Sequence, residues 1–435
     1  MLVYRVGAAG LADSGRLKVT FKFYSDWGEP QTHDPRGANY LTARARLRPS
    51  FPGESDATVQ RLDVKFDRKG HERPYQKAII VDVVDGYLSP GDEIEIRLGD
   101  RSAGGPGTCA QTFVEDAFKL RTYVDLTRTS RLAVDVVHLL MAMTIWLRFG
   151  QNFPVKVVAW DHVDGSALTV ASDVNRVEDL AGRTVAVPFW YSIHNVILQQ
   201  LLRKAGLRPV LKEEPSREAR TVKLVILPPP DMPPALARGA IAGFIVADPF
   251  NAVAEIKNVG RILRFTGDVW QRHACCVVVM HEDDIAQRPR WAQSVVNALV
   301  TAQAYARGNR AEVAKLLSSD GAGYLPQPRP AIERALSHYD LTEYGKSGAV
   351  HHPGWDQARI DFQPFPFPSY TERLVSLLKD TLVEGDTKFL RDLDPRKAHA
   401  ALVDDRFARQ AVAAAGGPAR LGLPASWKRD ERIDP

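Results

Sequence analysis

The chain has 435 residues, long enough for roughly two or three domains. Its 45% hydrophobic and 25% charged residues are those of an ordinary globular protein, and 57 basic against 52 acidic side chains leave +5, spread without long runs. That balance gives no basis for a nucleic-acid partner, and the three cysteines Cys109, Cys275 and Cys276 exclude a disulfide framework. Cys275 and Cys276 are adjacent and would bridge each other only with strain. No stretch approaches the ~20 apolar residues of a membrane span, so no membrane insertion is expected; the longest, Val134 to Phe149, carries His138 and Arg148. The opening residues MLVYRVGAAGLADSGRLKV lack a basic region followed by a long apolar core, so the chain as written is expected to be cytoplasmic.

From residue 1 to 127 the chain reads as β. Leu2–Val6, Arg16–Tyr24, Arg61–Phe66, Ala78–Val84, Glu93–Leu98, Gln111–Val114 and Phe118–Val124 are short runs rich in Val, Ile, Phe and Tyr. Turn chemistry separates them, as at Asp85-Gly86 and Ser89-Pro90-Gly91-Asp92. Leu17, Val19, Phe21 and Phe23 alternate with Lys18, Thr20, Lys22 and Tyr24. Strands of this kind and spacing predict an antiparallel sandwich. Gly28 to Gln60 reads as a long polar connection. His33, Asp34, His71 and Glu72 lack ligand spacing and read as surface polar residues rather than a metal site. Gly15-Arg16-Leu17-Lys18-Val19, Tyr24-Ser25-Asp26-Trp27-Gly28, Gly70-His71-Glu72-Arg73-Pro74, Gly99-Asp100, Gly104-Gly105-Pro106-Gly107 and Gln111-Thr112-Phe113 resemble the N-terminal module of an uncharacterised bacterial family whose larger members carry a phosphoesterase-like metal domain. No metal-domain sequence follows that module here.

From Leu132 helices alternate with short apolar strands, which predicts a mostly parallel sheet with helices on both faces. Val134–Trp146 reads as a helix, Val155–Trp160 and Ala167–Ala171 as strands. Thr184–Val187 is a buried strand; Pro188 stops it and Phe189, Trp190 and Tyr191 form an aromatic turn. Ser192 sits at a helix N-cap, before Val196, Ile197, Leu198, Leu201 and Leu202 at helical spacing, and Gly206 closes that helix. The first amides of this helix, from Ile193, His194 and Asn195, are placed to meet an anion or a polar ligand head at the end of the strand. Val222–Leu227, Ile241–Val246 and Cys275–Met280 read as strands. Asp231–Arg238, Trp291–Arg307, Tyr370–Leu382 and Ala398–Ala414 read as helices, and the tail from Gly416 as frayed and polar. The proline run Pro228–Pro234 reads as a rigid rim rather than a polyproline docking motif.

Three blocks, Val174–Pro188, Gly239–Phe250 and His273–Val279, make residues 133–415 resemble the substrate-binding proteins of nitrate-, sulfonate-, taurine- and pyrimidine-type ABC importers. The resemblance implies a two-lobed α/β protein that closes on a small molecule without bond chemistry. The related pyrimidine synthases of thiamine biosynthesis share the fold. The implied organisation is multidomain. An all-β sandwich over 1–127 precedes a type II periplasmic-binding-protein-like domain over 132–415. Lobe 1 covers 132–164 and 256–415, lobe 2 covers 165–255, and a polar tail covers 416–435. In that family a strand, a helix and a further strand precede the segment matching Val134–His138. Here they are missing, which predicts an incomplete first lobe with an exposed sheet edge. The N-terminal module or another chain, as in a homodimer, would have to cover it; otherwise the lobe is damaged.

By the same resemblance, Pro188–His194 is the loop that cradles the ligand's polar head. Asp248-Pro249-Phe250 is a second-lobe turn facing the cleft. Asp164-Gly165-Ser166 crosses between lobes, so that Ser166 meets ligand, and His138 lies at a strand-to-helix junction on the cleft. Trp160, Phe189, Trp190, Tyr191, Phe250 and Trp270 are the expected aromatic lining. The expected ligand-binding set is therefore His138, Trp160, Ser166, Phe189, Trp190, Tyr191, Ser192, His194, Asp248, Phe250, Trp270 and His273, with no catalytic residue, metal or cofactor. The expected ligand is a small aromatic or heteroaromatic molecule with a polar or anionic head, and an importer permease is the implied partner.

On an alternating strand Cys275 and Cys276 face opposite sides, so only one of them is expected to line the cleft. His273 falls on the face of Cys275, and the pyrimidine synthases carry a richer cysteine run at that place. An enzyme of that kind is the alternative, and a partner-binding or vestigial protein without a pocket the third reading. His351 and His352 read as loop residues.

Overall fold

The structure is a computed structural model that describes residues 1–7, 11–13, 15–22, 25–47, 59–71, 75–89, 91–112, 120–125, 136–355 and 358–435. The chain divides into two compact units, Met1–Val134 and Asp135–Pro435. Glu72, the run 113–119 and the change of texture at 126–135 lie outside the described residues.

In the first unit, β1 (Leu2–Arg5), β6 (Glu93–Leu98) and β3 (Leu41–Arg46) form one antiparallel sheet in the order β1-β6-β3. A second antiparallel sheet runs β4-β5-β2-β7, from β4 (Arg61–Asp67), β5 (Lys77–Val84), β2 (Arg16–Phe21) and β7 (Arg121–Asp125). The alternation read in β2 decides its packing: Leu17, Val19 and Phe21 join Ile79, Val81 and Val83 of β5 and Ile94 and Ile96 of β6 in one buried cluster. The long connection expected over Gly28–Gln60 is corrected by β3. Its Leu-Thr-Ala-Arg-Ala-Arg sequence has too little bulk to announce a strand, yet it pairs with β6 from Leu41↔Leu98 to Arg46↔Glu93.

The second unit holds two main sheets. Strands β11 (Ser166–Val170), β12 (Thr184–Val187), β13 (Arg208–Val210), β14 (Thr221–Ile226), β15 (Gly243–Ala247) and β16 (Arg261–Phe265) form a sheet in the order β13-β14-β12-β15-β11-β16. It is parallel from β13 to β15, and β11 is antiparallel to both neighbours. The other sheet is β8 (Val137–Leu140), β17 (Cys276–His281) and β9 (Val155–Trp160), antiparallel throughout. The segment expected as a helix over Val134–Trp146 therefore starts as a strand. Pairing with the Val-rich β17 overrides its helix propensity until α1 (Met141–Ile145) begins.

Helix α2 (Ile193–Lys204) opens as its sequence predicts: Ser192 Oγ accepts from Asn195 N–H at 3.1 Å and donates to the Phe189 carbonyl at 2.7 Å. The stretch Ala398–Ala414 is two helices, Pro395–Leu402 and Arg406–Ala414, interrupted at Asp404-Asp405. The tail is not frayed. Leu421 is fully buried, Ile433 bridges Trp270, and Trp270 Nε1–H donates to Glu431 at 2.7 Å. Leu421, Leu423, Trp427 and Ile433 supply the apolar anchors that a polar average conceals.

The two sheets of this unit are joined by a short ribbon built on β10 (Val163–Asp164), which pairs with β18 (Ile360–Asp361) and bridges Ala274. Asp161 N–H donates to the Cys276 carbonyl at 3.0 Å, Cys275 N–H to His162 at 3.3 Å and Asp164 N–H to His273 at 2.9 Å. Gly165, at φ +74°, carries the chain from ribbon into β11, and a Cβ there would lie 2.7 Å from Ile360 Cγ1. Its N–H donates to the Arg359 carbonyl and its carbonyl accepts from Asp248 N–H. The Arg359 guanidinium, buried, grips Asp248 at 2.6 and 3.1 Å and Glu255 at 2.9 Å. Removing one partner of such a pair leaves an uncompensated charge in the interior. Arg359→Met is expected to lower unfolding stability by about 3–5 kcal/mol in urea titrations, with Arg359→Lys recovering part of the loss; a loss under about 1 kcal/mol would show the pair to be dispensable.

Candidate functional site

The expected site residues separate into three groups. Ser166, His194 and His273 come together at the ribbon. Ser166 Oγ lies 3.0 Å from His194 Nε2, and His194 Nε2 lies 3.8 Å from Cys275 Sγ. On the other side of Ser166, Thr266 Oγ1–H donates to the Ser166 carbonyl at 2.9 Å, and His273 Nε2 sits 2.8 Å from the same hydroxyl. Thr266 has one proton and spends it on the carbonyl, so His273 is the donor through Nε2–H. That fixes its tautomer and leaves Nδ1 a bare acceptor. Among the described residues, His273 Nδ1, His194 Nδ1 and His162 Nε2 are buried without a hydrogen-bond partner. Three orphaned ring nitrogens near one ribbon are more than a satisfied core tolerates, and clustering of this kind points to a site.

The aromatic residues do not form one lip. Phe189, Trp190 and Tyr191 line a cavity of about 220 Å³ with Trp146, Gln151 and the 384–386 turn. There Trp146 stacks on Tyr191 at 5.8 Å between ring centres and meets Phe189 edge-on at 6.1 Å. Trp160 and Trp270 are instead in the core, each against the Tyr370 ring, at 5.0 and 4.8 Å between ring centres. Their bulk fills the interior beneath the ribbon, which corrects their assignment as cleft lining. Phe250 opens the helix Phe250–Ile256 and packs with a separate apolar cluster around Phe244 and Met232.

The remaining expected residues are occupied by ion pairs or capping. Asp248 is neutralised by Arg359, so it offers no free charge. His138 is largely exposed and donates through Nδ1 to Asp161 at 2.8 Å. This bond raises its pKa against the effect of burial. Ser192 and Asn195 are buried: Ser192 Oγ holds Asn195 N–H, and the Asn195 amide donates to the Trp190 and Leu382 carbonyls. Of the first-turn amides of α2, those of Ile193 and His194 have no intrahelical partner by geometry.

Sequence reasoning missed Arg359, His162 and Thr266, and it misjudged the cysteines. Cys275 and Cys276 do not point apart: their sulfurs are 3.8 Å from each other, because β17 begins only at Cys276 and Cys275 belongs to the ribbon. The Cys276 hydrogen bond holds the Cys275 thiol well below its usual range against burial, with His194 and His162 acting in the same sense. Its own contact with Cys275 pushes Cys276 up.

Comparisons with known proteins meet this geometry. A model of the NMT1-like family matches residues 124–318. The second half of the chain resembles the nitrate-, sulfonate- and taurine-binding proteins of ABC importers. It is 24% identical over 238 residues to the nitrate/nitrite binding protein NrtA of Nostoc sp., covering 50% of this chain and 52% of that one. It is 28% identical over 157 residues to the taurine-binding periplasmic protein of Escherichia coli, covering 35% of this chain and 45% of that one. The chain thus spans about half the length of these curated relatives. The crystal structure of the periplasmic nitrate-binding protein NrtA from Synechocystis PCC 6803 superposes with a TM-score of 0.56 at 19% identity, over 69% of this chain and 79% of that one. This establishes a type II periplasmic-binding-protein-like fold for the matched region. No helix among the described residues is long and apolar enough to cross a membrane.

Burial lowers the His273 pKa to about 3 from 6.5. The unfolded chain therefore takes up a proton near pH 6.5 that the folded chain refuses until about pH 3, and stability falls as the pH drops through that window. In denaturant titrations, His273→Gln is expected to flatten the acid limb by up to about 1.4 kcal/mol per pH unit relative to the parent protein; parallel acid limbs would contradict a neutral, buried His273.

Proposed function

We propose that the second unit binds a small organic molecule with an anionic head, as the substrate-binding component of an ABC importer. The observation that carries this reading is the buried polar knot at the ribbon, Ser166–His194 and Thr266–His273, placed between two sheets of a fold whose relatives are named for nitrate and taurine binding. The head would meet Ser166, His194 and the first amides of α2, replacing the Ser166–His194 bond with charge-assisted ones. Phe189, Trp190 and Tyr191 would take a planar body. Rotation about the ribbon, with Gly165 as its pivot, would let the sheet around β17 and the sheet that runs from β13 to β16 close on the ligand. In this reading the two sheets of the first unit pack as a sandwich, an importer permease is the partner, and work outside the cytoplasmic membrane follows from that partner.

Isothermal titration of the full chain tests it. An aromatic sulfonate or carboxylate is expected to bind, and His194→Ala and Ser166→Ala to weaken it about tenfold or more, the cost of charged hydrogen bonds. Trp190→Ala is expected to weaken the aromatic ligand while sparing a small aliphatic sulfonate. Strong heat with nitrate alone and none with aromatic anions would overturn the assigned ligand class.

A further inference from the structure

We propose that His162, Cys275 and Cys276 form a binding site for a thiophilic divalent ion of the zinc class, with His194 available for the fourth position. The ligand atoms of His162, Cys275 and Cys276 all lie within 4.8 Å of one another. The two sulfurs are 3.8 Å apart. A tetrahedral ion with metal–sulfur bonds of about 2.3 Å requires a sulfur–sulfur edge of about 3.8 Å, so the pair stands at the spacing the ion demands. A sulfur–nitrogen edge of the same tetrahedron is about 3.6 Å, and His194 Nε2 lies 3.8 Å from Cys275 Sγ.

The ribbon is what builds this geometry. Cys275 N–H bonds to the His162 carbonyl and Asp161 N–H to the Cys276 carbonyl, so the three ligand residues are fixed by backbone pairing rather than by mobile loops. His162 Nε2 is buried with no hydrogen-bond partner among the described residues, so this ring keeps an unsatisfied polar atom in the interior. Two soft thiolates with imidazole select zinc-like ions over hard cations such as magnesium or calcium. The inference goes beyond the reading of the cleft as an organic-anion site, because His162, Cys275 and Cys276 would hold the ion whether or not an anion engages His194.

The test uses the full chain carrying Cys109→Ser, which leaves Cys275 and Cys276 as its only thiols. The reduced, metal-free protein is titrated with Co2+ alone. The expected result is saturation at one ion per chain, with thiolate-to-cobalt charge transfer in the near ultraviolet and intense visible bands of a tetrahedral site, both bleached by Zn2+. Cys276→Ser and His162→Gln are then expected to weaken Zn2+ binding about tenfold or more, since losing a ligand costs no less than losing a group behind one. Weak visible bands of six-coordinate cobalt with no charge transfer would overturn the proposal, as would bands that survive both Cys275→Ser and Cys276→Ser. The first readout needs no ribbon variant, so a variant that fails to fold does not leave the question open.

Discussion

Three backbone hydrogen bonds between residues 161–164 and 273–276 pair the two segments by which the chain crosses between the sheets of the second unit. One buried cluster runs across both main sheets, from Val157 and Val278 to Leu168, Val185 and Ile245, and the chain passes between the sheets at 161–165 and 266–275. The ribbon also concentrates polar side chains in an apolar interior. His162, Ser166, His194, Thr266, His273 and the two cysteines sit at or beside it, while Trp160, Trp270 and Tyr370 pack as core. Apolar packing would be the cheaper way to fill that space. Retaining half-satisfied imidazoles there makes sense if something else completes them.

The electrostatic arrangement supports the same view. Arg359 cancels Asp248 and Glu255 within a few ångströms of the pivot, and Arg334 and Tyr344 reinforce Glu255. Burial alone would raise the Glu255 pKa, yet these partners hold it below its usual value. Asp248 and Glu255 are thus neutralised, while Asp161 and Asp164 put two further carboxylates in the ribbon itself: Asp161 meets His138 at 2.8 Å, and Asp164 lies 4.0 Å from His273.

Much of this fold was legible because its signals are local. The strand Thr184–Val187, the cap at Ser192 and the helix to Lys204 follow from neighbours a few residues apart. So does the bend at Asp164-Gly165, where both residues have positive φ. What escaped the sequence depends on partners far along the chain. β3 is a strand because β6 offers it an edge, and β8 is a strand because β17 does. Arg359 meets Asp248 across 111 positions, with no motif to announce it. Of the residues expected at the site, the fold brings Ser166, His194 and His273 together at the ribbon. The aromatic set was read as one surface because strand ends cluster, but burial energy drew Trp160 and Trp270 inward. The cysteine pair was misread because alternation holds only inside a strand, and Cys275 lies one residue before it.

The central claim is that the polar knot at the ribbon receives the charged head of a small ligand. A crystal structure of the full chain grown with p-toluenesulfonate tests it most directly. The account predicts sulfonate oxygens within about 3 Å of the His194 ring or the first amides of α2, with the Ser166–His194 bond broken and the ring toward Trp190. Density confined to the outer surface, with Ser166 still bonded to His194, would contradict it.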